Sequence, residues 1–200
     1  MFKLLLVPTK YEIRLLPKVF AYERVNSYIY KFTFECGVQA LVGLTGIGQE
    51  NINRFLSSNS HLITEYCTAV ILIGTCGVHN IPEVEVGTCY ITDSFVNEKD
   101  LSAFKIPAPL SSSFYTDVII GATKTVPEFF SSINCIDENE FSVDMEGFFL
   151  YEFCLKRGLP FQNVRIVSDH CDISEHTDGL TISRKYLDNY KNLVLKIINE

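Results

Sequence analysis

Three acidic residues stand where side chains that act on a bound ligand are commonly found. Glu12 follows an apolar N-terminal run by a few positions, Glu146 begins a long apolar segment, and Asp169 directly follows the strand-like run 164–168. Ligands of α/β proteins bind outside the carboxyl ends of the strands, where carboxyl groups can transfer protons or bind water. Each acid also has a structural interpretation, because Glu146 suits a first helical turn and Asp169 suits a turn.

Other common chemistries have no matching motif in the sequence. It contains no Gly-x-Ser-x-Gly elbow, no Walker loop and no His-Glu-x-x-His, and Gly43, Gly46 and Gly48 have the wrong spacing for a dinucleotide fingerprint. The four histidines do not have the spacing of metal ligands, and the seven cysteines form no Cys-x-x-Cys pair. We therefore expect no metal, no cofactor and no disulfide framework. Most cysteines are interpreted as small core residues in a cytosolic protein.

Apolar runs and turn residues predict the elements that must position the acids. The predicted strands are Phe2–Val7, Tyr28–Phe34, Val38–Leu44, Ala69–Ile73, Thr88–Val96, Val118–Val126 and Asn163–Val167. The predicted helices are Gln49–Ser58, Met145–Lys156 and one within Thr181–Glu200, whose apolar face is Ile182, Tyr186, Leu193, Val194 and Ile197. Pro107, Pro109 and the serine run 111–113 predict that Asn97–Ser113 is a loop. This alternation predicts a single α/β domain over residues 1–200, with a mixed, largely parallel sheet.

Charge and hydropathy exclude several classes of partner. The 200 residues include 17 Lys plus Arg and 24 Asp plus Glu, a formal net charge of −7. Nucleic-acid or anionic-membrane binding normally needs a basic surface, and we expect neither. The longest apolar runs have the length of strands and are far shorter than the ~20 residues of a membrane-spanning helix. A signal peptide is also not expected, because Pro8 ends the N-terminal apolar run.

Two sequence blocks together resemble the purine nucleoside phosphorylase/nucleosidase superfamily. They are Asp144-Met145-Glu146-Gly147 and the run from Val164 to Asp169, preceded by Val86-Gly87 and by Thr45-Gly46-Ile47-Gly48. The resemblance extends from Phe2 to the C-terminal helix. It is strongest to the hydrolytic branch, which contains methylthioadenosine/S-adenosylhomocysteine nucleosidases and futalosine hydrolases. It implies a nucleoside phosphorylase-like fold and cleavage of an N-ribosidic bond.

The resemblance assigns the two catalytic roles to carboxylates. Glu12 falls where the family has the glutamate that positions and deprotonates the attacking water. Asp169 matches the acid that protonates nitrogen 7 of the purine. The chemistry requires such a pair, since a purine anion is a poor leaving group and water is a poor nucleophile. General acid–base catalysis of this kind contributes ~10²–10⁴-fold to the rate.

The resemblance also assigns five residues that contact the substrate. Glu146 matches the carboxylate that binds the ribose hydroxyls, and Met145 lies against the sugar. Ser168 supports the acid, and Phe129 falls near the aromatic residue that stacks on the base. Thr75 stands where the family has serine in a Gly-Ser-Ala-Gly-Gly loop, which implies a role on the sugar side.

Water and phosphate are the two possible nucleophiles for such an enzyme. Phosphorolysis needs a cationic cluster to hold the phosphate dianion, and the superfamily's phosphorylases have an arginine-bearing loop after the first strand. This chain has Lys10, Tyr11 and Glu12 there, and a carboxylate repels phosphate. Arg14 is close, with a solvated helix face as its alternative position. We predict water, and keep phosphorolysis and a non-enzymatic nucleoside sensor as alternatives.

The identity of the substrate depends on the base and on the 5′ group. The run from Met145 to Phe149 and Pro8-Thr9 are more similar to futalosine hydrolases than to methylthioadenosine nucleosidases. Asp169 can accept a hydrogen bond from an exocyclic amino group but would face the carbonyl of hypoxanthine unfavourably. We therefore predict 6-amino-6-deoxyfutalosine, a nucleoside of menaquinone synthesis, with methylthioadenosine or S-adenosylhomocysteine as the alternative. The resemblance also implies a homodimer, in which the stretch Phe104–Tyr115 closes the 5′ side of the neighbouring site.

Overall fold

A computed structural model of the chain describes residues 1–96, 103–106, 118–127, 139–171, 182 and 184–199. The strands in this part of the chain are β1 (Phe2–Val7), β2 (Val19–Arg24), β3 (Ile29–Phe34), β4 (Gln39–Leu44), β5 (Cys67–His79), β6 (Cys89–Val96), β7 (Ala103–Lys105), β8 (Val118–Thr125), β9 (Phe141–Asp144) and β10 (Phe161–Asp169). The helices are α1 (Gly48–Tyr66), α2 (Gly147–Leu155) and α3 (Arg184–Asn199), and Glu12–Leu15 form one 3₁₀ turn.

The described strands form one mixed sheet, which confirms the predicted fold class. Its order is β10-β6-β8-β9-β5-β1-β4-β3-β2, and β10 also pairs with β5, so that five of the strands close into a ring. Parallel pairings join β1 to β4 and β5, β5 to β10, and β8 to β6 and β9. The remaining pairings are antiparallel, so antiparallel strands form more of the sheet than the sequence predicted.

Two apolar cores cover the two faces of the central strands. Successive side chains of a strand point to opposite faces: Leu4 and Leu6 of β1 pack with α1 and α2, whereas Leu5 and Val7 pack with α3. Full burial of one such side chain contributes about 1.5–3 kcal/mol. The predicted apolar face of α3 is confirmed, since its buried residues include Leu193, Val194 and Ile197. Strands β1, β5 and β10 contribute buried side chains to both cores.

Several element boundaries differ from the prediction. β5 continues through Gly74-Thr75-Cys76-Gly77 to His79, and α1 continues past Ser58 to Tyr66. β2 was not predicted at all. Within the predicted loop Asn97–Ser113, residues 103–105 pair with β6 as β7, because their backbone groups find partners at Ser94–Val96.

Two further findings concern the cysteines and the helices. Five of the six cysteines in the described ranges are buried, which confirms their interpretation as core residues. No helix in those ranges is both long enough and apolar enough to span a membrane.

Candidate active site

One cavity of about 310 Å³ opens where the first strand ends and where β5, β9 and β10 meet. Six of the seven predicted site residues line it: Glu12, Thr75, Met145, Glu146, Ser168 and Asp169. The seventh, Phe129, lies outside the described residues. Residues far apart in the sequence meet here because β5 pairs with both β1 and β10. The cavity is thus the place where any joint chemistry of the three acids must occur.

Glu12 is held in the 3₁₀ turn that follows β1. Its Oε2 accepts hydrogen bonds from the backbone N–H and the hydroxyl of Thr9, each at 2.9 Å, and the Glu12 N–H donates to Thr9 Oγ1 at 3.3 Å. This reciprocal arrangement has the hydrogen-bond pattern of a capping box, although Tyr11 is the N-cap residue of the 3₁₀ turn. Oε1 accepts the Thr75 N–H at 2.9 Å. A carboxylate oxygen accepts about two hydrogen bonds, so one acceptor position remains on Oε1 among the described contacts.

Gly74 of β5 gives Glu12 and Arg165 room to approach the strand. A Cβ at this position would lie 2.6 Å from Glu12 Oε1 and 2.4 Å from Arg165 Nη1. Both distances are far below van der Waals contact. Any side chain at position 74 would therefore displace Glu12, Arg165 or both.

Asp169 ends β10 and is buried in the wall of the cavity. Its Oδ1 accepts the Cys171 N–H and its Oδ2 accepts the Ser168 hydroxyl, each at 2.8 Å. The Ser168 oxygen also lies 3.1 Å from the carbonyl oxygen of Cys76. The hydroxyl can rotate between these acceptors. Ser168 can therefore donate to an ionised Asp169, or accept from a neutral one while donating to Cys76.

Glu146 lies at the start of α2 and is buried. Its Oε1 accepts the Gly48 N–H at the start of α1, at 3.1 Å, and its Oε2 lies 3.3 Å from Arg165 Nη2. Burial raises the pKa of Glu146 to about 7, although the Arg165 charge opposes the shift. Two of its four acceptor positions are occupied by these contacts, so two remain for a ligand.

Arg165 is the centre of a buried polar network beneath the cavity. Its side chain is 1% exposed. Nη2 donates to Asp144 Oδ2 at 2.8 Å, Nε donates to Asn163 Oδ1 at 2.7 Å, and the Asn163 amide donates to Asp144 Oδ2 at 2.8 Å. A buried charge is stable only when it is paired and hydrogen-bonded, and this network provides both.

The structure also settles the positions of Thr75, Met145 and Arg14. Thr75 contacts Glu12 through its backbone N–H. Met145 is half-buried and packs beside Val126 and Val143 in the cavity wall. Arg14 is half-buried and lines the cavity, so a solvated helix face is wrong for it. Arg14 therefore contributes a cationic side chain to the wall of the cavity.

Sequence reasoning did not assign roles to Asp144, Asn163 and Arg165. Arg165 was quoted only as part of a motif, although a charged residue in the apolar run Val164–Val167 is itself a signal of a buried ion pair. The spacing Thr9-x-x-Glu12 is a second pattern visible in the sequence, and it predicts the reciprocal hydrogen bonds between these two residues. The contacts of Asp144 with Asn163 and Arg165 depend on pairing between distant strands, which the local sequence does not reveal.

Comparisons with known proteins bear on the family and the fold of the chain. The family model of the phosphorylase superfamily matches residues 4–126. No curated protein sequence matches the chain. Among solved structures, it is similar to the 5′-methylthioadenosine/S-adenosylhomocysteine nucleosidase of Helicobacter pylori with butyl-thio-DADMe-Immucillin-A, at 16% identity and a TM-score of 0.73, covering 100% of this chain and 98% of that one.

Two further structures have the same fold. The futalosine hydrolase of Helicobacter pylori is 15% identical, with a TM-score of 0.74, over 99% of this chain and 97% of that one. The 5′-methylthioadenosine/S-adenosylhomocysteine nucleosidase of Neisseria meningitidis, in complex with methylthio-immucillin-A, is 18% identical, with a TM-score of 0.74, over 98% of both chains. At these identities, the similarity establishes the fold.

Proposed function

The chain belongs to the phosphorylase superfamily, and we propose that it hydrolyses the N-glycosidic bond of a 5′-substituted purine nucleoside. The observation that carries this proposal is the presence of Glu12, Glu146 and Asp169 in the wall of one cavity. Glu12 meets β5 at Thr75, and Asp169 pairs with the same strand at Gly77. Two residues of strand separate these points by roughly 7 Å, a span that a ribose and its glycosidic bond can fill.

Glu12 is the proposed general base. With Thr9 and Thr75 occupying three of its acceptor positions, one position on Oε1 can bind a single water molecule. This water attacks the anomeric carbon as the glycosidic bond breaks, and its proton passes to Glu12. Fixing the carboxylate by three hydrogen bonds orients the water without further ordering during the reaction.

Asp169 is the proposed general acid. The leaving purine gains negative charge as the bond breaks, and a proton delivered to its imidazole ring makes it a better leaving group. Ser168 can hydrogen-bond to Asp169 both before and after that transfer, because its hydroxyl has a second acceptor in the carbonyl of Cys76. The same pair of residues thus supports both protonation states of the acid.

Glu146 is the proposed ribose ligand. Its two remaining acceptor positions fit two vicinal hydroxyl groups. A carboxylate at this place also stabilises the positive charge that develops on the sugar. Met145 supplies an apolar surface beside it.

Phosphorolysis is the second candidate, since Arg14 lines the cavity and carries the charge that a phosphate dianion needs. Glu12 opposes it, because its carboxylate faces the place where the nucleophile must bind and repels a phosphate dianion. Product analysis separates the two reactions. We expect free ribose derivative in phosphate-free buffer, at a rate that added phosphate does not increase. A requirement for phosphate, with formation of a sugar 1-phosphate, would establish the phosphorylase instead.

The proposed substrate is 6-amino-6-deoxyfutalosine, which releases adenine and belongs to menaquinone synthesis in the cytoplasm. Asp169 can accept a hydrogen bond from the 6-amino group, whereas a hypoxanthine carbonyl would leave a buried polar pair unsatisfied. Methylthioadenosine and S-adenosylhomocysteine remain close alternatives, because apolar pockets discriminate weakly, by ~1–3 kcal/mol per methylene-sized difference.

Chromatographic measurement of base release from each nucleoside tests the proposal. We expect the highest kcat/KM with 6-amino-6-deoxyfutalosine and poor cleavage of its oxo form. If the oxo form is cleaved faster, the interpretation of Asp169 is wrong. If methylthioadenosine is cleaved at least tenfold faster, about 1.4 kcal/mol, the pathway assignment is wrong. Binding of nucleosides without any cleavage would identify a sensor.

A further inference from the structure

Two carboxylates compete for one guanidinium beneath the cavity. Arg165 Nη2 lies 2.8 Å from Asp144 Oδ2 and 3.3 Å from Glu146 Oε2. The shorter contact is also the better supported, because Asn163 bridges Asp144 and Arg165 on the same side. Arg165 therefore pairs mainly with Asp144, and its contact with Glu146 stays long.

The other oxygen of Asp144 anchors the backbone that carries Glu146. Asp144 Oδ1 accepts the Thr125 hydroxyl at 2.6 Å and the Gly147 N–H at 3.1 Å. Thr125 Oγ1 in turn accepts the Phe148 N–H at 2.9 Å, which caps the first turn of α2. Asp144 thus contacts both the residue that follows Glu146 and the cation that faces it.

We propose that Asp144 is a positioning residue that limits Arg165 to one long contact with Glu146 and so leaves the two other acceptor positions of the Glu146 carboxylate available for the ribose hydroxyls. The inference rests on the proposed function of Glu146. Without Asp144, the strongest remaining anionic partner of the buried guanidinium is Glu146. Glu146 would then pair more closely with Arg165 and accept a second hydrogen bond from the guanidinium, which would occupy one of the two acceptor positions left for the sugar.

The charged groups that face Glu146 determine its pH behaviour. They are Arg165 on β10, Asp144 on β9 and Glu12 in the 3₁₀ turn, together with the Gly48 N–H at the start of α1. Arg165 and Gly48 lower the pKa of Glu146, while Asp144 and Glu12 raise it. Replacing Asp144 by a neutral residue removes one raising group and releases Arg165 toward Glu146. Both changes lower the pKa of Glu146.

The test measures binding of a C-nucleoside analogue of adenosine, whose carbon–carbon glycosidic bond is not hydrolysed, with adenine as the ribose-free control. In the unaltered protein, C-nucleoside affinity should fall as the pH drops through about 7, where Glu146 gains a proton. In Asp144→Asn, affinity at pH 8 should fall about tenfold, the loss of one hydrogen bond to a charged group. The midpoint of its pH dependence should move down by at least ~1 unit. Adenine affinity should change less than about twofold.

Three further variants separate positioning from a structural role. Thr125→Val removes the α2 cap but keeps every charge, so it should lower the melting temperature and leave the midpoint unchanged. Asp144→Glu should restore the midpoint. Asn163→Ala removes the amide that bridges Asp144 and Arg165. It should lower the midpoint of the pH dependence by less than Asp144→Asn does, and it provides the test if Asp144→Asn does not fold.

The outcomes distinguish this inference from the proposed function. If the unaltered protein binds neither the C-nucleoside nor adenine, the proposed function is wrong. If it binds both, and neither Asp144→Asn nor Asn163→Ala moves the midpoint, then the positioning role of Asp144 is wrong and the proposed function stands. A midpoint that moves equally in Thr125→Val would also overturn the positioning role, because the effect would then follow from loss of the helix cap.

Discussion

At the scale of single residues, the carboxylates of the cavity differ in how many hydrogen-bond acceptor positions the described contacts leave open, and their proposed roles rest on this difference. Glu12 has one position for a water molecule, and Glu146 has two for a diol. Asp144 has both oxygens engaged by Thr125, Gly147, Asn163 and Arg165. It is therefore suited to hold neighbouring groups and unsuited to bind substrate.

Asp169→Asn tests the general acid. The amide keeps the size of the side chain but cannot donate a carboxylic proton, so the variant should bind adenine nucleosides while kcat falls at least ~10²-fold. Steady-state kinetics and direct binding measure the two quantities. Asp93→Asn is the matched control, because Asp93 is not among the residues that line the cavity, and its kinetics should be unaltered. Near-normal turnover of Asp169→Asn would refute the assignment.

Glu146→Gln tests the balance between stability and function. Burial raises the pKa of Glu146 from 4.5 to about 7, so the folded state favours the neutral form. The stability this contributes is fully present below pH 4.5 and is lost as the pH rises through about 7. Glutamine stays neutral, so the variant should melt at a higher temperature than the unaltered protein at pH 8 and at a similar temperature at pH 4.5.

Calorimetry at pH 8 and pH 4.5 measures the difference in melting temperature between Glu146→Gln and the unaltered protein. Glu146→Gln should also bind nucleosides more weakly. Glu50→Gln is the control, because Glu50 is an exposed residue of α1 that pairs with Arg54, and such surface pairs contribute ~0–1 kcal/mol. The prediction would be contradicted if, at pH 8, Glu146→Gln melts at the same temperature as the unaltered protein or at a lower one.

At the scale of elements, β5 is the strand on which the site is built. It contacts Glu12 through Thr75, pairs with Asp169 at Gly77, and makes room for Arg165 at Gly74. Gly74→Ala should therefore reduce kcat/KM by at least ~10²-fold and destabilise the fold by ~1–3 kcal/mol. Gly43→Ala on β4 is the control. Its Cβ would crowd Leu6 and Phe55 at 2.8 Å, so it should lower stability while kcat/KM is retained.

The extent to which these elements were predictable follows from the range of the interactions that form them. Strands with continuous apolar runs, such as β1 and β10, were predicted because burial on both faces is visible locally. The sequence predicted that α1 ends near Ser58, whereas the helix extends to Tyr66. The helix continues because Asn59 is buried and bonds to Phe55 O and to Asn26. β2 was missed because it is an edge strand whose side chains, such as Phe20 and Tyr22, are mostly exposed.

At the scale of the whole molecule, closure of the sheet brings the site together. β10 pairs with β5 on one side and β6 on the other, so the ends of β1, β5, β9 and β10 surround one cavity. The sequence resemblance predicted which residues meet there but could not show how they contact each other. Those contacts depend on the register between strands that are distant in the sequence. A slip of one residue would turn the side chains of a strand to the opposite face of the sheet.

The last prediction concerns assembly and also belongs to this scale. Tyr11 and Ile47 line the cavity, yet they are 60% and 50% exposed. Apolar groups at the mouth of a site are usually covered when it functions, by substrate or by a partner. We expect a homodimer whose neighbouring subunit closes this mouth, as predicted for Phe104–Tyr115, of which only Phe104–Ile106 fall within the described residues.

Light scattering and activity measured over the same dilution series test the dimer. Ile47→Asp should weaken association and raise KM for 5′-substituted nucleosides, with adenine affinity retained, because charge at the mouth disfavours a buried apolar contact. Phe20→Asp is the matched control. Phe20 is also exposed, at 78%, but lies on the edge strand β2 away from the cavity, so both assembly and KM should be unchanged. A monomer at micromolar concentration with full activity would show that one chain is sufficient, and the exposed Tyr11 and Ile47 would then be covered by the 5′ group of the substrate alone.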